Sequence, residues 1–90
     1  MKDTINSYAK ISIGDLCFTK IRVPTQDISE KVQKKLFKMG IKWNGEGMVV
    51  RYDASFLFIT STYVLQRCST EEYFEEQRHD EIDYQDILGA

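Results

Sequence analysis

The chain has 90 residues, 42% of them apolar, with five Phe, five Tyr and one Trp, and a formal net charge of −2. This length makes a single domain that buries about 60–65% of its unfolded surface, and the composition is that of a folded chain rather than a disordered one. No apolar run approaches the roughly 18 residues of a membrane span, no secretory leader opens the sequence, and one His beside two isolated Cys leaves no zinc set or His-based triad.

Taken in chain order, the first element is a strand over Leu16–Val23, where Lys20 and Arg22 alternate against Ile21 and Val23. Upstream, Lys10–Ile13 reads either as an edge strand or as the end of a flexible arm over residues 1–9. Pro24 interrupts the strand, and Thr25 is a suitable N-cap for a helix with acidic Asp27 in its first turn. Ile28, Val32, Leu36 and Met39 recur at four- and three-residue spacing and form its apolar face, and Gly40 ends it.

Ile41–Trp43 and Met48–Tyr52 read as the strands of a β-hairpin, with Asn44–Gly47 as its turn. After a second turn at Asp53–Ser55, the apolar stretch Phe56–Ile59 is the expected central strand, covered on both faces, with Tyr63–Arg67 pairing beside it. Ser69–Glu72 fits a capping box with Ser69 as the cap, which opens a short helix through about Gln77 gripped by Tyr73 and Phe74. Ile82, Ile87 and Leu88 are the aliphatic anchors of a last helical turn. The fold class expected is α+β: one domain in which an antiparallel sheet of four or five strands packs on one main helix, with short acidic helical segments in residues 68–90.

Charge is divided along the chain. Residues 1–67 carry eleven Lys/Arg against six Asp/Glu, whereas residues 68–90 carry Arg78 against eight carboxylates, so +5 is joined to −7. Within the basic part, Lys31, Lys34, Lys35 and Lys38 fall in one stripe about 100° wide on the helical wheel, roughly a quarter-turn from the apolar seam. Such a stripe is either a solvated helix face or a docking ridge for phosphates or an acidic protein. The acidic part holds Glu71, Glu72, Glu75, Glu76, Asp80, Glu81, Asp83 and Asp86, interleaved with Tyr73, Phe74 and Tyr84. These carboxylates serve solubility, fold back over the lysines, mimic phosphates, or meet a basic partner.

Four lysines on duplex DNA would give a log K against log salt slope of about −3.6, a weak and nonspecific interaction that the acidic tail opposes. Phe56 and Phe58 lack the surroundings of a base-stacking signature and read as core. Trp43 is a core plug or, with Tyr52, an exposed interface anchor. Glu76 and His79 have the Glu-x-x-His spacing of carboxylate-bridged metal sites, but no second motif completes a set. Cys17 and Cys68 read as free thiols, with a single bridge left as the alternative.

The run Val32–Asn44, preceded by a strand and followed by Tyr52 and Phe56–Ile59, resembles a pattern in small, mostly uncharacterised accessory proteins of tailed bacteriophages. The closing Ile82 and Asp86–Leu88 are similar to the ends of those chains, so the resemblance spans about residues 16–88. It implies an accessory phage product acting in the bacterial cytosol, in a class that includes inhibitors of host enzymes and of antiphage defences. It carries over no catalytic motif.

The function expected is therefore a noncatalytic binding protein, without cofactor or metal, that modulates a host protein in the cytoplasm. Lys31, Lys34, Lys35 and Lys38 would meet an acidic partner, Trp43 and Tyr52 would anchor it, and the Glu71–Asp86 carboxylates would meet a basic one. The alternatives are a module that captures a nucleotide through lysines and Arg51, with a homo-oligomer left open, and a weak nucleic-acid binder gated by its acidic tail.

Overall fold

Alternation along Thr19–Arg22 decides how this protein is layered. The computed structural model describes residues 11–52 and 54–89, and in it that segment is strand β1. It is followed by α1 (Gln26–Lys38), β2 (Lys42–Trp43), β3 (Phe56–Ile59), β4 (Val64–Cys68), α2 (Glu71–Glu76), β5 (Asp80–Ile82) and α3 (Tyr84–Leu88). The five strands form one sheet in the order β2-β4-β3-β1-β5. On one face Ile21, Leu57, Ile59 and Leu65 join Val32 and Leu36 of α1 and Ile87 of α3 in the buried core. On the other face Lys20, Arg22, Phe56 and Phe58 lie under α2, whose Phe74 ring sits 4.9 Å from Phe56 and 5.6 Å from Phe58. The α+β class and the doubly covered central strand are as expected.

The sheet is mixed rather than antiparallel. β1, β3 and β4 pair antiparallel, but both edges are parallel, β5 to β1 and β2 to β4. Strand β5 was read as part of a helical end, and its three residues carry too short a pattern to show a period. The expected hairpin between Ile41–Trp43 and Met48–Tyr52 does not form: the two stretches share one bridge, Trp43 to Gly47, and β2 joins β4 instead. The cause is the buried amide of Gln33 on α1. Its Nε2 donates to the Arg51 carbonyl (2.8 Å) and its Oε1 accepts from the Arg51 N–H (2.7 Å), so a helix side chain supplies the bonds a neighbouring strand would. Ser29 Oγ donates to the Ala54 carbonyl (3.1 Å), and Trp43 Nε1 to that of Val49 (2.7 Å).

Helix α1 is bounded as the sequence implies. The Thr25 hydroxyl accepts from the Ile28 N–H (3.1 Å). At the other end Ile41 N–H donates to Leu36 O and Gly40 N–H to Phe37 O, the paired bonds of a Schellman turn, with Gly40 at φ +94°. Ile41 and Leu36 are both fully buried, which closes the turn with an apolar contact. The cap of α2 is Thr70, whose hydroxyl accepts from the Tyr73 N–H, and not Ser69 as the capping-box pattern suggested. Residues 1–9 and Lys10 lie outside the described residues; of the alternative edge strand over Lys10–Ile13, Ile11 and Ser12 are not in a strand and Ile13 opens a 3-10 turn, Ile13–Leu16, which also takes Leu16 out of the first strand.

Cys17 and Cys68 are free. Register explains it: β3 runs from Phe56 opposite Cys68 to Ile59 opposite Thr19, which puts the two cysteines at opposite ends of that strand. That is about 10 Å along the sheet, beyond the reach of a disulfide.

Gly40→Ala is expected to destabilise the protein by about 1–2 kcal/mol, because a Cβ at that φ is strained although the space around it is open. Urea denaturation with an unchanged m-value is the check.

Candidate binding surface

The acidic segment is divided between the two faces of the sheet: α2, with Glu71, Glu72, Glu75 and Glu76, packs on the face away from the lysine stripe, and α3, with Asp83 at its cap and Asp86 in its first turn, packs beside α1. Lys20, buried in the centre of β1, donates from Nζ to the carbonyls of Phe74 (2.7 Å) and Gln77 (3.0 Å), so its ammonium caps the C-terminal end of α2. The same Nζ lies 4.6 Å from the centroid of the Phe74 ring. Beside it Arg22 is held by three carboxylates: Glu71 at 2.7 Å, Glu81 at 2.9 Å, and Glu75. These hydrogen bonds, Glu71 first and then Glu75 and Glu81, raise the guanidinium pKa well above its ordinary value.

Magnitudes rank these contacts. Burying Phe74 contributes about 2–3 kcal/mol, and the charge-assisted bonds of Lys20 contribute on the order of 1.5–3 kcal/mol each. The Arg22 cluster lies at the surface, where ion pairs add little. Docking of α2 therefore rests on Lys20 and Phe74, and the carboxylates around Arg22 select its orientation. Neither residue stood out in the sequence as more than a strand polar position and a helix grip.

His79 follows α2 and stacks on Phe18 (4.1 Å between centroids, 16° between planes), with Phe58 at 5.0 Å. Its Nδ1 is buried with no hydrogen-bond partner. Burial lowers its pKa below the ordinary value, and the nearby Lys20 ammonium lowers it further. No group of three His, Cys, Asp or Glu among the described residues could hold a metal ion.

The opposite side of the molecule carries the lysine stripe. Lys31, Lys34 and Lys38 are exposed and Lys35 is half-buried, so the stripe faces water as read from the wheel. Two of its members are answered on their own helix, Lys31 by Asp27 (3.1 Å) and Lys34 by Glu30 (2.8 Å). Glu30, by hydrogen bond and then by charge, raises the Lys34 pKa. Gln33, the helix residue before Lys34, holds the backbone of Arg51, so the chain reaches Tyr52 alongside α1. Tyr52 is 59% exposed, and Met48 and Val49 in the same loop are 51% and 54% exposed. The loop is not slack: Gln33, Ser29 and Trp43 each bind its backbone.

Trp43 is 3% exposed and belongs to the core, so it is not the surface anchor offered as one of its two readings. Arg51 pairs with Glu46 at 2.6 Å, and neither Arg51 nor the lysines of α1 line the groove beside Glu46. Of the carboxylates, Glu71, Glu75 and Glu81 are gathered on Arg22, Glu72 and Glu76 face outward from α2, and Asp80 stands exposed in β5. Asp83 caps α3 by accepting from the Gln85 N–H (2.8 Å), and Asp86 lies in the first turn of that helix. The exposed loop residues Met48 and Val49 were missed because they were read as strand positions.

No family model, curated protein or solved structure matches the chain. No helix among the described residues is long and apolar enough to cross a membrane.

Lys20→Met is expected to cost about 2–4 kcal/mol, because two carbonyls at the end of α2 lose their donor, and hydrogen exchange should quicken first in residues 71–77. A second outcome concerns pH. Folding favours neutral His79, so the unfolded chain binds more protons between the lowered folded pKa and about 6.5. Stability from this residue is complete above that window and is lost as pH falls through it. Urea midpoints of wild type and His79→Phe, compared from pH 7.5 down to 5, should show a smaller decline for the variant.

Proposed function

We propose that this chain is a noncatalytic binding protein that docks on an acidic surface of a host protein and modulates it, in the manner of the phage accessory proteins its sequence resembles. The observation that supports the reading is the exposed trio Met48, Val49 and Tyr52, held by three side-chain bonds next to the lysines of α1. A small apolar centre with a charged rim is the composition of an interface, and Tyr is among the residue types that dominate binding energy. A loop tied down before the partner arrives loses little freedom on binding.

The tail-gated nucleic-acid reading gains no support, because the carboxylates of α2 lie on the far side of the sheet from the lysines, and Glu71, Glu75 and Glu81 are gathered on Arg22 instead. The nucleotide reading gains no support from the groove beside Trp43, which neither Arg51 nor the lysines of α1 line.

Affinity capture from a bacterial lysate, run with wild type, Tyr52→Ser and a Lys31/Lys34/Lys35/Lys38→Glu variant, tests the proposal. The expected result is a protein retained by wild type and lost by both variants, with a Kd for the isolated partner about tenfold weaker for Tyr52→Ser. Equal recovery by all three would place the docking surface elsewhere.

A further inference from the structure

Residues 69–79 cross one face of the sheet as a flap fastened at both ends, by β4 at Cys68 and by β5 at Asp80. Three contacts hold it down. Phe74 lies on Phe56 and Phe58, and Lys20 Nζ binds the carbonyls of Phe74 and Gln77. The third contact is His79, the only histidine of the chain, which stacks on Phe18 and also meets Phe58.

His79 fits this place only as a neutral ring. Its Nδ1 is buried and has no hydrogen-bond partner. In a neutral imidazole that nitrogen can be an unused acceptor, whereas an imidazolium carries a proton on both nitrogens, and the one on Nδ1 would meet no acceptor. Nearby charge does not compensate. From β1 the Lys20 ammonium acts on the ring as a like charge. On α2, Glu71 and Glu75 are drawn to Arg22 while Glu72 and Glu76 face water, and on β5 Glu81 is drawn to Arg22 while Asp80 is exposed. Arg78, the preceding residue, is exposed and positive. Attraction of a cation to the Phe18 face works the other way, but Phe18 is 43% exposed, where such attraction is weak.

Phe18 carries strain that the same stack contains. It sits at φ +55°, a left-handed position unfavourable for a bulky side chain. Its ring is held by His79 and its carbonyl by the Asp80 N–H (3.1 Å). Loss of the stack frees Phe18 to relax, so the fastening weakens on both of its sides.

From this geometry we infer that the α2 flap is released by acid: protonation of His79 breaks the stack on Phe18, residues 69–79 lift from the sheet, and the aromatic surface of Phe56 and Phe58 opens while α1 stays folded. The open flap accepts a proton that the closed one refuses, so opening grows as pH falls below about 6.5, the ordinary histidine value. None of these residues belongs to the loop and lysine face assigned above to the host partner, and the device stands independently of that reading.

The test is native-state hydrogen exchange of the full chain in low urea. NMR follows the amides of Phe74 and Gln77, which donate to the carbonyls of Thr70 and Phe74, against those of α1. Corrected for the intrinsic rate, exchange at Phe74 and Gln77 is expected to quicken about three- to tenfold from pH 7.5 to 5. It should respond to urea much less than exchange in α1, since a lifted flap exposes little surface. In His79→Phe, which keeps a ring on Phe18 but takes no proton, the pH effect should vanish. His79→Gln, which can neither stack nor charge, should exchange faster than wild type at pH 7.5 and gain nothing further at pH 5. An equal pH response in both variants, or none in wild type, would overturn the role of His79. A urea dependence matching that of α1 would mean unfolding of the whole chain and would overturn the flap.

Discussion

One buried ammonium organises the distal third of this protein. Lys20 is the polar member of a strand whose neighbour Ile21 belongs to the core, so the pleat sends its charge to the other face of the sheet. A charge there must be answered, and the carbonyls of Phe74 and Gln77 answer it. That contact stops α2 at the point from which the chain can return as β5, parallel to β1. From β5 the chain enters α3, which carries Ile87 into the core beneath α1. The acidic stretch after residue 68 is thus not a detached tail: it supplies a helix on one face of the sheet, an edge strand within it and a helix on the other face.

The layering separates charge in space as well as in sequence, although less sharply than the totals suggest. Lysines of α1 face water on one side, two of them already balanced by Asp27 and Glu30. Carboxylates of α2 face water on the other, with Glu71 and Glu75 balanced by Arg22, which also holds Glu81 of β5, and with Glu72 and Glu76 directed outward. What distinguishes the basic side is the addition of apolar contact area on an immobilised loop.

Elements with a strong local pattern were legible in the sequence. Helix α1 could be read from its four-residue apolar spacing, its Thr25 cap and its Gly40 stop, and β3 from its unbroken apolar run between turns. The expected hairpin misled because local pairing rules see Asn44–Gly47 as a reversal but cannot see Gln33, 18 positions upstream, capturing the backbone of Arg51. Strand β5 was invisible for a related reason: three residues of mixed character become a strand only because β1 presents an edge. Among candidate site residues, the lysine stripe kept its predicted exposure, since a helical wheel needs only periodicity. Trp43 and the exposed loop could not be assigned, because burial of a loop residue depends on which distant groups reach it.

The parallel edge formed by β5 also constrains how the chain can be made. Ile82 registers with Ile21, roughly sixty residues earlier, and closing so long a loop is among the slowest contacts to form. Until α2 and β5 have left the ribosome, Phe56 and Phe58 have no cover on their side of the sheet. A chain that has not yet extended through β5 therefore leaves an aromatic surface open to solvent, and its yield in a cell should depend on chaperones that shield such surfaces.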